Sequence, residues 1–393
     1  MLLLISFLII AAVVFAKISS RYNVPVLIAV LGIGILFGSD VLNLFYFDDA
    51  ELTKKIADIL LVFILFDGGF RTTKKQIHLA AKIGITLATL GVVVTTFVLG
   101  IIIYKISQFN FFTSMTIASI ISSTDAAAVM SITRQYPIKE RIAAILNVES
   151  ALNDPLAIIL TITFASLAIG VAKSPINLIL SIIWQFIGGI SFGFIVSAAT
   201  KFLFNKLELE NRGYYYILIV GMILFCYSIS TTLAANGIIA VFIMGYRLGN
   251  CDYVAKKSVS NFLEGINSFA NFFLFLMLGL LAFPRNFIYI WKTAIVISIV
   301  IIFVARPIAV FILTIRSKLS FVERSFISYG GIKGAVPIVL ATYPSAFKME
   351  HADLIFNIIF AVVFISCLLQ GSFLGVLARM LKLSESPRTK NPY

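Results

Sequence analysis

Residues Ile145–Leu160 read ILNVESALNDPLAIIL, an apolar run of membrane-helix character that nevertheless carries Glu149, Ser150, Asn153, Asp154 and Pro155. An ionisable side chain at the centre of a bilayer costs at least about 2.5–3.5 kcal/mol even on the most permissive scale. Two acids within six residues therefore need partners and a use. On a helix advancing about 100° per residue, Glu149 and Asn153 project within roughly 40° of each other, whereas Asp154 points about 140° from Glu149. The two carboxylates face different neighbours. Pro155 has no N–H to offer the carbonyl of Ala151, which leaves a free backbone oxygen one turn below Asp154. At membrane depth such an oxygen is tolerated only where protein, water or an ion satisfies it.

The surrounding chain is of the same kind. Of 393 residues, 60% are hydrophobic and 12% charged, a charge fraction about half that of an ordinary soluble domain. Apolar runs recur from end to end with short polar gaps, which predicts an all-α polytopic membrane protein. Thirteen spans are expected, at 2–18, 24–39, 56–70, 79–104, 111–133, 140–170, 176–204, 214–233, 235–249, 259–283, 290–316, 322–345 and 352–380. The first lacks the basic leader of a secretory signal and is retained as a span. A net charge of +13 raises nucleic acid as a partner. The basic residues are scattered between spans without interleaved aromatics, which excludes that reading. Cys226, Cys251 and Cys367 are far apart and lack metal spacing, so they read as packing residues rather than as a disulfide or zinc framework.

Orientation follows from the basic residues. Alternate gaps beginning after the first span, together with the C-terminal tail, hold 22 of the 31 Lys and Arg; the opposite gaps hold 7, and Arg306 and Lys333 stay inside spans. The positive-inside rule places the N-terminus outside and the C-terminus in the cytoplasm of a cell (inner) membrane protein. An odd number of spans requires the same split.

Laying spans 1–6 against spans 8–13 exposes two halves. The expected transmembrane domain, 1–383, comprises repeat one at about 1–170, a linking helix at 176–204 and repeat two at about 214–380, followed by a short cytoplasmic tail at 384–393. The fifth span is interrupted by Ser122-Ser123-Thr124-Asp125-Ala126, and its counterpart, the twelfth, by Gly330-Gly331-Ile332-Lys333-Gly334-Ala335-Val336-Pro337. Broken helices at matching positions of two halves are the pattern of inverted-repeat transporters, with the site where the breaks meet. The pairs Gly34/Gly38, Gly189/Gly193 and Gly371/Gly375 have the spacing of close helix packing.

Asp154 is the candidate exchanging carboxylate. Either a proton or a monovalent cation neutralises it, but not both at once, and that competition is the chemistry of exchange. The rival reading is a carboxylate that only bonds a neighbouring helix. At Asp125, Thr124 and freed backbone groups offer oxygens to a hard cation; alternatively Asp125 neutralises the positive end of a half-helix. Arg306, deep in the eleventh span, requires an acid, and Glu149 is the one otherwise unemployed, so the two are expected to form a buried structural pair. Lys333 either compensates the carboxyl ends of the half-helices or pairs with Asp125 or Asp154. Asp67 either guides cations or sits at a solvated helix end. His78 and His351 lie at expected interfaces and read as surface residues.

Four segments in this order, Ser122–Val129, Glu149-Ser150-x-x-Asn153-Asp154-Pro155, Ala305-Arg306-Pro307 and Gly330–Pro337, resemble the monovalent cation:proton antiporter-1 family over essentially the whole chain. The run Gly334–Pro344 is most similar to that family's bacterial potassium/proton antiporter branch. The resemblance implies a thirteen-helix inverted-repeat fold with crossed discontinuous helices, a homodimer, and a mobile core against a static dimerisation domain. It also implies a cation site of Asp154, Asn153, Ser150, Asp125 and the Thr124 backbone, with Asp67 as the acid of span three. Asn before the essential Asp and an Arg paired to Glu149 resemble electroneutral members. Lys333 stands where the family usually has Arg.

The expected function is thus exchange of K+ or Na+ for protons across a lipid bilayer, with no resident cofactor and no enzymatic step. An intramembrane aspartyl protease built on Asp125 and Asp154 is the first rival, and fixed cations at Arg306 and Lys333 speak against a dyad sharing a proton. A cation channel is the second, and the absence of a repeated filter sequence speaks against it.

Overall fold

In lipid a backbone must satisfy its own polar groups, and a chain this apolar can do so only as helices. The structure, a computed structural model, describes residues 2–21, 26–38, 40–44, 50–125, 129, 138–171, 175–282 and 284–383, and every regular element longer than a single bridge among them is a helix. In chain order these are α1 (Leu2–Arg21), α2 (Val26–Phe37), α3 (Ala50–Arg71), α4 (Lys74–Thr86), a π turn at Leu87–Gly91, α5 (Val92–Ile106), α6 (Phe111–Ser122) and α7 (Glu140–Ala168). The chain continues through α8 (Pro175–Lys206), α9 (Arg212–Thr232), α10 (Gly237–Gly249), α11 (Lys256–Leu280), α12 (Pro284–Val300), a second π turn at Ile301–Ala305 and α13 (Arg306–Leu313). It ends with α14 (Phe321–Tyr329), α15 (Ala335–Leu340), α16 (Tyr343–Ala346) and α17 (Ala352–Met380).

Each of these helices falls on an expected span. Seven helical stretches among the described residues are long and apolar enough to cross a membrane, and shorter apolar helices occur at Ser6–Lys17, Phe111–Ser122, Gly237–Gly249 and Ala335–Ala346. The count of thirteen full crossings therefore remains a reading of the sequence. The fifth and twelfth spans are short for a physical reason: both are broken. α6 stops at Ser122, and Ser123 turns extended; the rest of that span, 126–133, lies outside the described residues apart from Val129, as does the tail 384–393. The twelfth divides into α14, a non-helical stretch from Gly331 to Gly334, and α15. Pro337 is admitted because it stands in the first turn of α15, where no N–H is needed.

Local chemistry sets the helix starts. The side chains of Asn110 and Asn236 accept from the backbone of Thr113 and Ile239 to open α6 and α10, and Ser320 and Glu323 form a reciprocal capping box at α14.

The chain divides into two compact units, one of 1–54, 76–170 and 275–393, the other of 55–75 and 171–274. Neither coincides with a sequence half. In the first unit α6 packs on α5 and α7, α12 on α17, and the two π turns each touch the other broken-register helix, Leu87–Gly91 against α13 and Ile301–Ala305 against α5. In the second, α10 packs between α8 and α9.

Each unit contains a helix crossing of matching design in which backbone meets backbone. In the first, a Cβ on Gly34 of α2 would strike the carbonyl of Leu276, and one on Gly279 of α11 the carbonyl of Leu31. In the second, Gly245 of α10 faces the carbonyl of Phe66, and Gly69 of α3 that of Phe242. Leu31 and Gly34 thus correspond to Phe242 and Gly245, and Phe66 and Gly69 to Leu276 and Gly279. Two halves of one design make the same contact twice, through Cα–H···O approaches that only glycine permits. Gly245→Ala is expected to destabilise the protein by about 1–3 kcal/mol, the usual cost of overpacking. Gly221→Ala, which has open space around it, should leave the thermal midpoint of the detergent-purified protein unchanged.

Candidate functional site

Breaking a helix in lipid orphans carbonyls at one end and N–H groups at the other. In the first unit the two breaks satisfy each other. The backbone N–H of Asp125 donates to the carbonyl of Ile332 at 2.8 Å. The ammonium of Lys333, 1% exposed, donates to the carbonyls of Ser122 at 3.4 Å and Ser123 at 3.0 Å. Lys333 therefore caps the carboxyl end of α6. The second break is held from behind by α17: Lys333 N–H donates to Ser366 Oγ at 3.1 Å, Cys367 Sγ to the Lys333 carbonyl at 2.9 Å, and Gln370 Nε2 to the Tyr329 carbonyl at 2.7 Å.

Asp154 reaches this crossing from α7. It is 7% exposed, its carboxylate accepts from the Ser123 hydroxyl, and both Asp125 and Lys333 act on it electrostatically. The preceding residue, Asn153, donates through Nδ2 to Thr124 Oγ1 at 2.6 Å, and Thr124 Oγ1 lies 2.8 Å from the Oγ of Ser150, one turn earlier in α7. Thr124 Oγ1 thus links the Asn153 amide to the Ser150 hydroxyl, and either hydroxyl can donate in the second bond. Asn153 Oδ1 is buried and has no hydrogen-bond partner among the described residues. The Asp125 side chain packs against Gly334, where a Cβ would collide with its carboxylate. That places it at the start of α15, the broken helix of the other half.

Glu149, on a different face of α7, is 1% exposed and bonded to the guanidinium of Arg306, itself 3% exposed. The guanidinium lies against Gly331, whose missing side chain makes its room, and Arg306 follows directly on the second π turn. Asp67 belongs to the second unit. It is 2% exposed and accepts from Arg71 Nε and Asn267 Nδ2, each at 2.7 Å. A solvated helix end does not describe it.

Asp154, Asn153, Ser150, Thr124, Asp125 and Lys333 thus come together where the breaks cross, Glu149 and Arg306 pair beside the second break, and Asp67 has its own partners. Sequence reasoning did not single out Ser123 as the partner of Asp154, Arg71 and Asn267 as partners of Asp67, or Ser366 and Gln370 behind the second break. A faint signal existed for the last pair, two polar residues one turn apart in an otherwise apolar span. Chemically, the crossing offers the carboxylates of Asp154 and Asp125 with hydroxyl and amide oxygens around them, the donor set of a hard, partly dehydrated cation.

Residues 5–380 match the family described as "Sodium/hydrogen exchanger, transmembrane". The K(+)/H(+) antiporter NhaP2 of Shewanella sp. (strain ANA-3) is 34% identical over 380 residues, which cover 96% of this chain and 66% of that protein. The K(+)/H(+) antiporter NhaP of Alkalimonas amylolytica is 35% identical over 393 residues, covering 100% and 68%. The chain spans about two thirds of the length of these curated relatives. The solved structure of the sodium proton antiporter MjNhaP1 from Methanocaldococcus jannaschii at pH 8 matches with a TM-score of 0.84 at 22% identity, covering 97% of this chain and 99% of that one, and shows a shared fold.

Removing one member of the buried pair leaves the other uncompensated. Glu149→Gln and Arg306→Met should each cost about 3–5 kcal/mol, read as a lowered thermal midpoint or lost folded yield. The double variant should recover much of that loss, and additive losses would show that the two residues are not coupled.

Proposed function

Because this chain belongs to the sodium/hydrogen exchanger family, we propose that it is an antiporter exchanging protons for a monovalent cation, K+ or Na+, across the cell membrane. The observation that carries the reading is the Asp154 carboxylate, buried at the crossing of two broken helices and preceded by Asn153, whose side-chain oxygen has no hydrogen-bond partner among the described residues. In one step the carboxylate holds a proton. In the other the proton leaves and a cation takes its place, with oxygens from Asn153, Thr124, Ser150 and Asp125 replacing water. Each occupant neutralises the same negative charge, so the two exclude each other, and exchange by alternating access is their competition.

Exchange of one proton for one cation on a single carboxylate leaves the site's charge unchanged, which makes transport electroneutral. The fixed charges support this. Lys333 is held by carbonyls and Arg306 by Glu149, so neither is required to move a charge with the cargo. The N-terminus is placed outside and the C-terminus in the cytoplasm by the distribution of basic residues, and the protein is read as a homodimer. K+ is the first cation to test, because the relatives at 34–35% identity are named for it.

In everted vesicles with a pH-sensitive dye, adding K+, Na+ or Li+ should dissipate a preformed acid interior, and Asp154→Asn should abolish the response. Exchange at the wild-type rate in Asp154→Asn would remove Asp154 from the mechanism. Strong acceleration by a membrane potential would contradict one-for-one exchange.

A further inference from the structure

In the second unit α8 and α10 run side by side in the same direction. They are pinned where Gly189 and Gly193 meet the carbonyls of Asn236 and Ala240. Towards their C-terminal ends a cleft of about 350 Å³ opens, lined by Ser197, Lys201, Phe202 and Asn205 of α8 together with Arg247 and Cys251. Among the described residues no carboxylate lines it. Neither Lys201 nor Arg247 has an ion-pair partner among the described residues.

The cations are placed rather than scattered. The Arg247 guanidinium stacks over the Phe194 ring, 4.8 Å from its centroid, and Ser197, Lys201 and Asn205 recur every four residues along one face of α8. Asn205 Oδ1 accepts from the backbone of Val254 at 3.1 Å, which commits its oxygen and leaves its amide hydrogens as donors. The cleft thus offers two positive charges and an amide donor. Its apolar edge is Phe202, 59% exposed, on a helix that turns most of its apolar surface outward. The basic residues assign this end of both helices to the cytoplasmic side, where a leaflet carrying anionic lipids attracts basic groups.

We infer that this cleft binds the phosphodiester headgroup of an anionic phospholipid, the phosphate lying between Lys201 and Arg247 and the acyl chains leaving past Phe202. A soluble phosphate would use the same donors without needing the apolar edge. A third account, in which the two cations only offset the negative C-terminal ends of α8 and α10, requires no ligand.

The test uses the full chain purified in detergent, with thermal midpoint and native mass spectrometry as readouts. Phosphatidylglycerol should raise the midpoint and be retained as adducts, whereas phosphatidylcholine and millimolar inorganic phosphate should not. Lys201→Gln with Arg247→Gln should weaken the apparent phosphatidylglycerol affinity about thirtyfold, the factor two basic groups supply at an anionic surface. Ala198→Phe fills the cleft and keeps both charges, so it should lose the effect too and gives an independent result if the double variant folds poorly. Equal responses to the two lipids, equal stabilisation by inorganic phosphate, or an undiminished lipid response in both variants would overturn the assignment.

Discussion

A buried amine inside a chain solvated by lipid needs fixed dipoles in place of water, and Lys333 finds them in the carbonyls of Ser122 and Ser123. Those carbonyls are orphans of the break in α6, so the lysine satisfies a need that its own surroundings created. The reciprocal contact, Asp125 N–H to the Ile332 carbonyl, ties the same segments from the other direction. Because two broken helices answer each other's unpaired groups, the backbone at the centre stays open without collapsing. Ser123 and Thr124 can then turn towards α7 and hold Asp154 and Asn153.

The rest of the first unit keeps that crossing in place. α17 supports the second break through Ser366, Cys367 and Gln370, and α7 presents two acids to two separate sets of partners. Glu149 is paired with Arg306, whereas Asp154 meets the Ser123 hydroxyl and no fixed guanidinium. The separation matters, because a carboxylate neutralised by a permanent guanidinium cannot alternate between two light cations. The Gly34–Gly279 and Gly245–Gly69 crossings perform a comparable service at the level of whole helices, bringing backbones together where lipid supplies no hydrophobic drive.

Much of this was legible in the residues. The two breaks, the opposed directions of Glu149 and Asp154, and an acid partner for Arg306 all follow from counting residues around a helix and asking who can afford a buried charge. Other features were not legible. Ser123 looked no different from Ser122 until the chain turned extended between them, since both are short hydroxyl residues in one polar run. The burial of Asp67 depends on Asn267, 200 residues away. The two π turns leave no mark on an apolar pattern, because a run of Ile, Leu, Val and Ala reads alike whether the bond closes four or five residues back. The compact units escaped the division into halves because helices of the two halves intertwine, α2 with α11 and α3 with α10.

The π turns have one more implication. Each is a single surplus residue absorbed by a helix, and they occur in the fourth and eleventh spans, the same slot of each half. The matching slots make the π turn a shared element of the two halves. In the later half the π turn directly precedes Arg306, and losing the surplus residue would swing the guanidinium about 100° around the axis and away from Glu149. The surplus residue is thus a fixed part of how the later half seats the buried guanidinium of Arg306.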